Sequence, residues 1–178
     1  MLQALEPAAS PGRIEPQGLN DALARLACGV ALIACWDGGS PSGLIATSLS
    51  GLSVDPPRVM FSVRHEASAH DALLREGRYT ATILSEAEVA EAHAFAANGS
   101  IERFAPAKWR LDDAFAPRLR GGLSSFDLRT DRWIRASAAT IFIAEVLAVD
   151  SAPGSPLLYF ERGFAAIGLA PTRAPRST

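Results

Sequence analysis

The chain has 178 residues, of which 48% are hydrophobic and 20% charged, a composition that fits a globular protein with one substantial core. The formal net charge of −2 and the pI near 5.9 argue against nucleic-acid binding, which requires a basic face. No apolar run approaches the ~20 residues that cross a bilayer, and the N-terminus lacks the basic and apolar segments of a secretory signal. Cys28 and Cys35 are too few for a disulfide framework. The composition therefore predicts a cytoplasmic protein that binds neither nucleic acid nor a membrane.

The two ends of the chain differ in composition from its middle. Residues 1–17 are rich in Pro, Ala and Gly without any period, and residues 168–178 contain two prolines and two arginines. Such segments predict disordered tails at both ends. No internal repeat and no linker divides residues 18–167, which we therefore expect to form a single domain.

Three short helices are predicted from capping residues and apolar spacing. Asn20 is the expected N-cap of a helix over the following DALARLA, and Ser68 is the expected cap of a helix that ends at Glu76. Ser85 opens the third helix, because Glu88 follows it at the spacing of a capping box.

Strand sequences occupy most of the remaining domain. They are apolar runs bounded by Gly, Pro and Asp, and they cover residues 30–36, 43–52, 58–63, 79–84, 123–130, 133–137, 140–149, 157–160 and 164–169. Residues 98–117 are expected to be irregular, with Phe104, Trp109 and Phe115 as anchors. The alternation of strand and helix that a doubly wound parallel sheet needs is missing. The pattern instead predicts a mainly β protein, an antiparallel and nearly closed barrel with short inserted helices.

Common catalytic and metal-binding motifs are absent from the sequence. There is no Gly-x-Gly-x-x-Gly after the first strand and no Walker-type Gly-Lys-Ser/Thr. The histidines at positions 65, 70 and 93 have no metal-ligand spacing, so no metal is expected. A nucleophile triad of Ser68, His70 and Asp71 is disfavoured, because neighbours along one helix turn do not present the needed chain of hydrogen bonds. We expect His65 and His70 at the surface and His93 on the polar side of its helix.

The stretch from Ala46 to Pro57, ATSLSGLSVDPP, is the strongest candidate for a binding site. It places four hydroxyls and a glycine in a strand and its exit, ahead of a double proline. Hydroxyls and backbone N–H groups at a strand end can hold a phosphate and a polyol without a glycine-rich loop. The alternative is that Ser and Thr merely suit the strand and the prolines merely end it.

The order of several motifs is similar to that of the flavin reductase-like family with the FMN-binding split barrel, the small reductase components of two-component flavin monooxygenases. The resemblance covers about residues 20–167 and is carried by Gly29-Val30, Gly43–Ser48, Leu52–Pro57, Arg64 with Ser68, Phe95-Ala96, Arg103-Phe104, Trp109, Ile141–Val146 and Pro156–Phe160. It implies a homodimer in which flavin (FMN or FAD) lies along the barrel near the subunit interface. It also implies NADH or NADPH as co-substrate and an oxygenase that receives reduced flavin.

The resemblance assigns the first group of cofactor-binding residues to the hydroxyl-rich strand. By matching position, Ala46, Thr47, Ser48 and Leu49 line the isoalloxazine ring and the ribityl chain, and Ser53 lies near the phosphate.

The second group comes from later segments. By the same matching, Arg64 and Ser68 close the pocket, and Arg103 and Phe104 form the Arg-Phe pair beside the cofactor and the nicotinamide. A guanidinium offers a planar fork to a phosphate; the alternative for Arg103 is an ordinary surface arginine in an irregular segment. No catalytic side chain is expected, because the cofactors carry the chemistry of hydride transfer.

The sequence departs from the family pattern in two places. Ala138 and Ala139 replace the usual Asp-His before the long strand, ahead of Thr140, and Ala144 replaces a usual glycine. The missing histidine is the residue that the resemblance places against the nicotinamide.

That departure leaves two functions open. The first is NAD(P)H-dependent reduction of FMN or FAD, and the alternative is a non-catalytic flavin carrier or sensor on the same barrel. A barrel enzyme similar to pyridoxamine-phosphate oxidase is disfavoured by the hydroxyl-rich strand and its double proline.

Overall fold

The computed structural model describes residues 15–97 and 101–167. The expected C-terminal tail and most of the expected N-terminal tail lie outside these ranges. The helices are α1 (Pro16–Ala24), α2 (His70–Glu76) and α3 (Val89–Ala96), with 3₁₀ turns at Glu86–Glu88 and Ile101–Phe104. No helix within the described ranges has the length and apolarity needed to span a membrane.

Twelve strands make up the rest of the described fold. In chain order they are β1 (Cys28–Gly29), β2 (Ala31–Asp37), β3 (Ser40–Ala46), β4 (Ser50–Val54), β5 (Pro57–Arg64), β6 (Arg78–Ile83), β7 (Trp109–Arg110), β8 (Arg118–Leu119), β9 (Ser124–Arg135), β10 (Ala139–Ser151), β11 (Leu157–Phe160) and β12 (Gly163–Ala166). The expected mainly β architecture is confirmed.

The main sheet has seven strands in the order β3-β2-β6-β9-β10-β5-β4, and every neighbouring pair is antiparallel. Its two edge strands, β3 and β4, are consecutive in the chain. The segment that joins them carries Ser48, whose hydroxyl accepts a hydrogen bond from the Ser62 amide of β5 at 3.0 Å. The sheet therefore curls until its edges meet, which confirms the antiparallel split barrel. A smaller sheet of order β1-β11-β12 flanks it.

Strand β2 shows how the barrel and its outer layer share one core. Ile33 and Cys35 belong to the cluster inside the barrel, where the Phe61 and Phe142 rings stack 5.2 Å apart. Leu32 and its same-face neighbours belong to a second cluster under α3 and the loop that follows it. A strand buried on both faces reads as a continuous apolar run, which is why residues 30–36 show no alternation.

Residues 101–117 are not wholly irregular, because they contain the 3₁₀ turn at Ile101–Phe104 and the short strand β7, but two of the three expected aromatic anchors hold them in place. Phe104 and Trp109 are 3% and 1% exposed, and their rings lie 4.6 Å apart. Phe115, the third expected anchor, is only half-buried. These aromatic contacts fix the loop that carries Arg103.

Several boundaries differ from the sequence-based expectations. Helix α1 begins at Pro16, within the expected tail, so the expected N-cap at Asn20 is wrong; proline favours the first helical position because its φ is already helical. Ser68 does not cap α2, which begins after Ala69 without a side-chain cap. The capping box of Ser85 and Glu88 is confirmed.

Two strands also differ from expectation. The expected strand 43–52 is divided into β3 and β4 at residues 47–49, where the chain crosses between the sheet edges. The expected strands 123–130 and 133–137 form one continuous strand, β9, because a bulge opposite Ile143 and Ala144 absorbs the extra residue Asp131.

Two of the three histidines are less exposed than expected. His70 is 3% exposed, so its expected surface position is wrong. Its Nε2 lies 2.9 Å from the Thr140 hydroxyl and its Nδ1 lies 2.7 Å from the Asp71 carboxylate. These two contacts offset the cost of its burial and tie α2 to the start of β10. His65 is half-buried, with its ring 5.1 Å from that of His70, whereas His93 is exposed as expected.

Candidate functional site

A cleft of about 1030 Å³ opens beside the seam where the barrel edges meet. Its walls come from β3 and its exit, from the β5–α2 connection, from the end of α3, and from the β11–β12 hairpin. The lining residues are Gly43, Leu44, Ile45, Ala46, Thr47, Ser48, Ser62, Val63, Arg64, Glu66, Ala67, Ser68, Phe95, Ala96, Ala97, Arg103, Tyr159 and Phe164. This volume is at the upper end of the range for small-molecule and cofactor sites.

The strand β3 enters the cleft at Gly43, where only a glycine fits. A Cβ at this position would lie 2.7 Å from the Ile33 carbonyl oxygen and 3.2 Å from the Phe95 ring. The missing side chain lets α3 pack directly on the strand, and this close packing sets the position of the cleft wall that Phe95 forms.

The hydroxyl of Ser48 is used at the seam of the barrel. It accepts from the Ser62 amide, and it lies 3.2 Å from the Ser62 hydroxyl. Thr47, one residue earlier, also lines the cleft and is half-buried. The seam is therefore polar, and it presents hydroxyls and backbone groups to any ligand in the cleft.

Arg64, the last residue of β5, and Ser68, in the connection between β5 and α2, also line the cleft. The Arg64 guanidinium makes an ion pair with the Glu66 carboxylate, with Nη1 and Oε1 3.0 Å apart. Both side chains are largely exposed, at 77% and 73%, so a ligand could reach the pair from the cleft.

Arg103 is a half-buried lining residue of the cleft. Its guanidinium donates to the Gly43 carbonyl oxygen at 3.0 Å and covers the Phe95 ring at 4.4 Å. Burial lowers the pKa of this arginine, although a guanidinium stays charged under all relevant conditions. Its buried Nε has no hydrogen-bond partner. The geometry favours a fixed positive charge with donor capacity to spare over an ordinary surface arginine.

Three of the expected site residues do not line the cleft. Leu49 packs against the barrel core, and Phe104 is buried behind the cleft wall against Phe95, with ring centroids 5.0 Å apart. Ser53 donates its hydroxyl to the Pro56 carbonyl oxygen, and this bond stabilises the turn that leads into β5. The remaining six expected residues, Ala46, Thr47, Ser48, Arg64, Ser68 and Arg103, are brought together in the cleft.

Three side chains of the cleft, two aromatic and one acidic, were not predicted from the sequence as site residues. Tyr159 and Phe164 come from the β11–β12 hairpin, and their rings lie 5.7 Å apart. The apolar pattern of the sequence predicted both strands, but it does not indicate that their side chains line this cleft. Glu66 had a usable signal, since it lies only two residues after Arg64 in the sequence.

These features define an antiparallel split-barrel protein with one large cleft lined by hydroxyls, aromatic rings and arginines. The chain belongs to the flavin reductase like domain family, whose model matches residues 23–168.

Curated relatives cover most of the chain. It is 31% identical to an FMN reductase (NADH), RutF 1, of Methylorubrum extorquens, over 97% of this chain and 84% of the relative. It is also 31% identical to the FMN reductase (NADH) RutF of Stutzerimonas stutzeri, over 82% of this chain and 84% of the relative. Among solved structures, the styrene monooxygenase flavin reductase of Pseudomonas putida is 25% identical with a TM-score of 0.77, over 86% of this chain and 99% of that one.

Proposed function

We propose that this chain is a flavin reductase that transfers a hydride from a reduced nicotinamide to FMN or FAD. The single observation that carries the proposal is the cleft, because it combines the hydroxyl-rich strand exit with two arginines and a set of aromatic rings. The relatives from M. extorquens and S. stutzeri are named as FMN reductases that use NADH. These names favour FMN over FAD and NADH over NADPH for this chain. We assign the flavin reductase-like domain to residues 18–167.

The cleft residues fit a flavin in size and chemistry. We assign Ala46, Thr47 and Ser48 to the ring edge and the ribityl chain, because their backbone and hydroxyl groups border the seam. We assign Arg64 and Ser68 to the anionic end of the ligand, because both line the cleft and the Arg64 side chain is open to solvent. Leu49 and Phe104 would support these contacts from the core, and Ser53 would shape the turn that follows.

We assign Arg103 and the aromatic side chains of the cleft to the exclusion of water. Arg103 is anchored on Gly43 and Phe95 and places a positive charge in the wall of the cleft. Tyr159 and Phe164 add aromatic surface to the cleft lining. Bound flavin supplies the hydride-accepting ring, so the protein has only to bind, orient and keep the reacting pair dry. No side-chain nucleophile is needed.

We also propose that the protein acts as a homodimer that supplies reduced flavin to an oxygenase. Large apolar side chains remain exposed on neighbouring strands of the barrel: Leu52, Val54, Met60, Trp133, Ile134, Leu147 and Val149. Exposed apolar surface of this kind marks interaction sites. The P. putida neighbour is named as the reductase of a styrene monooxygenase, which favours an oxygenase as the recipient.

One observation favours the second candidate, a flavin carrier or sensor without turnover. Ala138 and Ala139 stand where the family resemblance places Asp-His, so this chain offers no imidazole at that point. A carrier would bind flavin and would not oxidise NADH.

One assay tests the proposal and separates the two candidates. Purified protein is mixed with NADH or NADPH and with FMN, FAD or riboflavin, and the loss of reduced nicotinamide is followed by absorbance. The proposed function predicts catalytic oxidation of NADH that depends on added flavin and is fastest with FMN. Flavin binding without oxidation of either nicotinamide would overturn the reductase and support the carrier.

A further inference from the structure

Glu66 is an acidic side chain in a cleft whose other ionic side chains, among the described lining residues, are arginines. Its carboxylate lies 3.0 Å from the Arg64 guanidinium. A carboxylate paired with Arg64 weakens the attraction of this arginine for an anionic ligand. Binding of an anion alone therefore does not explain why Glu66 is present in the cleft.

The Arg64–Glu66 pair does little for the stability of the fold. Both side chains are mostly exposed, at 77% and 73%, and ion pairs of this kind contribute little because water and salt screen them. The two residues are also only two positions apart, at the end of β5 and the start of the connection that follows it, so their contact joins no distant elements. The main effect of the pair is therefore on the charge that the cleft presents to a ligand.

The two arginines of the cleft differ in how they are held. Arg103 is fixed by the Gly43 carbonyl oxygen and by the Phe95 ring. Arg64 contacts an exposed carboxylate, which can be displaced by another oxyanion. A phosphate and the Glu66 carboxylate would repel each other if both approached the same guanidinium.

We propose that Glu66 is a specificity-determining counter-ion that competes with the phosphate monoester of a ligand for Arg64. By weakening that contact it keeps a phosphorylated flavin exchangeable, as a reductase that releases its product requires. This inference rests on the proposed function. The same chemistry would also act on the 2′-phosphate of NADPH, so the test includes both sources.

The test uses the full chain and measures dissociation constants directly, without turnover. The variants are Glu66→Gln, Arg64→Gln and the double variant, and the ligands are FMN and riboflavin, which differ only by the phosphate, and NADPH and NADH. Asp37→Asn is the matched control, since it also removes one negative charge from an exposed ion pair, with Arg75, outside the cleft lining.

Glu66→Gln should tighten FMN binding by up to about fivefold, the upper limit expected for an exposed ion pair, and should leave riboflavin binding unchanged. The gain should shrink in high salt, vanish in the double variant and be absent in Asp37→Asn. A gain confined to NADPH over NADH would also support the competition and would identify the nicotinamide as the source of the phosphate.

Three results would overturn the inference. They are no change for any phosphorylated ligand, an equal change for riboflavin, or a gain that persists without Arg64. A parent protein that binds flavin without oxidising NADH would overturn the proposed reductase instead and leave this comparison intact. A parent that binds no flavin and no nicotinamide would overturn both.

Discussion

Ala139 lies directly opposite Arg64 on the paired antiparallel strands β10 and β5. Residues in such a pair point to the same side of the sheet, with their Cβ atoms about 5 Å apart. Arg64 lines the cleft, so a longer side chain at position 139 would be directed toward the same wall. The position at which the family resemblance places a histidine is therefore next to the cleft and holds only a methyl group.

Replacing Ala139 with histidine should raise the rate of NADH oxidation and leave FMN affinity nearly unchanged. The new imidazole would stand beside Arg64, at the position where the family resemblance places the nicotinamide contact, and the flavin contacts on β3 would stay the same. The measurement is kcat and KM for NADH together with the FMN dissociation constant. Ala138→His is the control, because that residue lies before the strand. If the parent is already fast and Ala139→His changes nothing, another group receives the nicotinamide.

Replacing Ser48 with leucine should weaken FMN binding by about 2 kcal/mol, because a polar contact is lost and the side chain obstructs the cleft. The structure adds a second effect, since Ser48 also accepts from the Ser62 amide. Ser48→Ala separates the two: it removes the seam hydrogen bond without filling the cleft. Calorimetric titration with FMN and thermal unfolding of both variants make the measurement. FMN binding by Ser48→Leu as tight as that of the parent would show that the flavin lies elsewhere.

Replacing Gly43 with alanine should destabilise the protein by about 1–3 kcal/mol, the range for overpacking a tight site. The added methyl group would meet the Ile33 carbonyl oxygen and the Phe95 ring, and relief of that clash would move α3 and the cleft wall. Gly51→Ala is the matched control, because a Cβ there meets nothing within 4 Å. Chemical denaturation of the two variants measures the difference, and equal stability would contradict the close packing at Gly43.

The fold was largely predictable from sequence because its strands carry local signals. Apolar runs, turns and the capping box of Ser85 and Glu88 gave the elements and the antiparallel class. Two boundaries were not predictable from local signals. Helix α1 begins at Pro16, although Asn20 is the better capping residue. Strand β9 continues through Asp131, because a bulge absorbs the residue that separates the two expected strands.

The candidate site was less predictable because it depends on the closure of the barrel. Thr47 and Ser48 were found from their hydroxyls, but the use of Ser48 in the seam depends on Ser62, which is far away in sequence. Tyr159 reaches the cleft only through the pairing of the small sheet. The burial of His70 was equally unpredictable, because its partner Thr140 comes from a strand 70 residues later.

The protein should be a symmetric homodimer in solution, with more than ~2,000 Å² of buried surface in total, as is typical of obligate dimers. The exposed apolar side chains of β4, β5, β9 and β10 are the expected interface. Light scattering at micromolar concentration checks the mass, and Ile134→Glu, which places a charge on a side chain that is 52% exposed, should shift it to the monomer. A monomeric parent would contradict the prediction.

A hydrogen-bond chain that runs from Asp71 through His70 to Thr140 should make stability depend on pH. The hydrogen bond from His70 holds the pKa of the Asp71 carboxyl below its ordinary value of 3.8. A carboxyl whose pKa is lower in the folded protein stabilises the fold above its unfolded pKa, and this stabilisation is lost as the pH falls through the folded pKa. Stability should therefore fall below about pH 4, and Asp71→Asn should flatten that part of the curve.

Two variants locate the effect within the chain. His70→Ala should return the pKa of Asp71 toward its ordinary value, which a titration followed by NMR measures directly. Thr140→Val keeps the shape of the side chain but leaves the buried His70 Nε2 without its partner, and this should cost about 1–3 kcal/mol of stability at neutral pH. Asp37→Asn serves as the control, because its ion pair with Arg75 involves no histidine. An unchanged titration of Asp71 in His70→Ala would show that the histidine does not set the pKa.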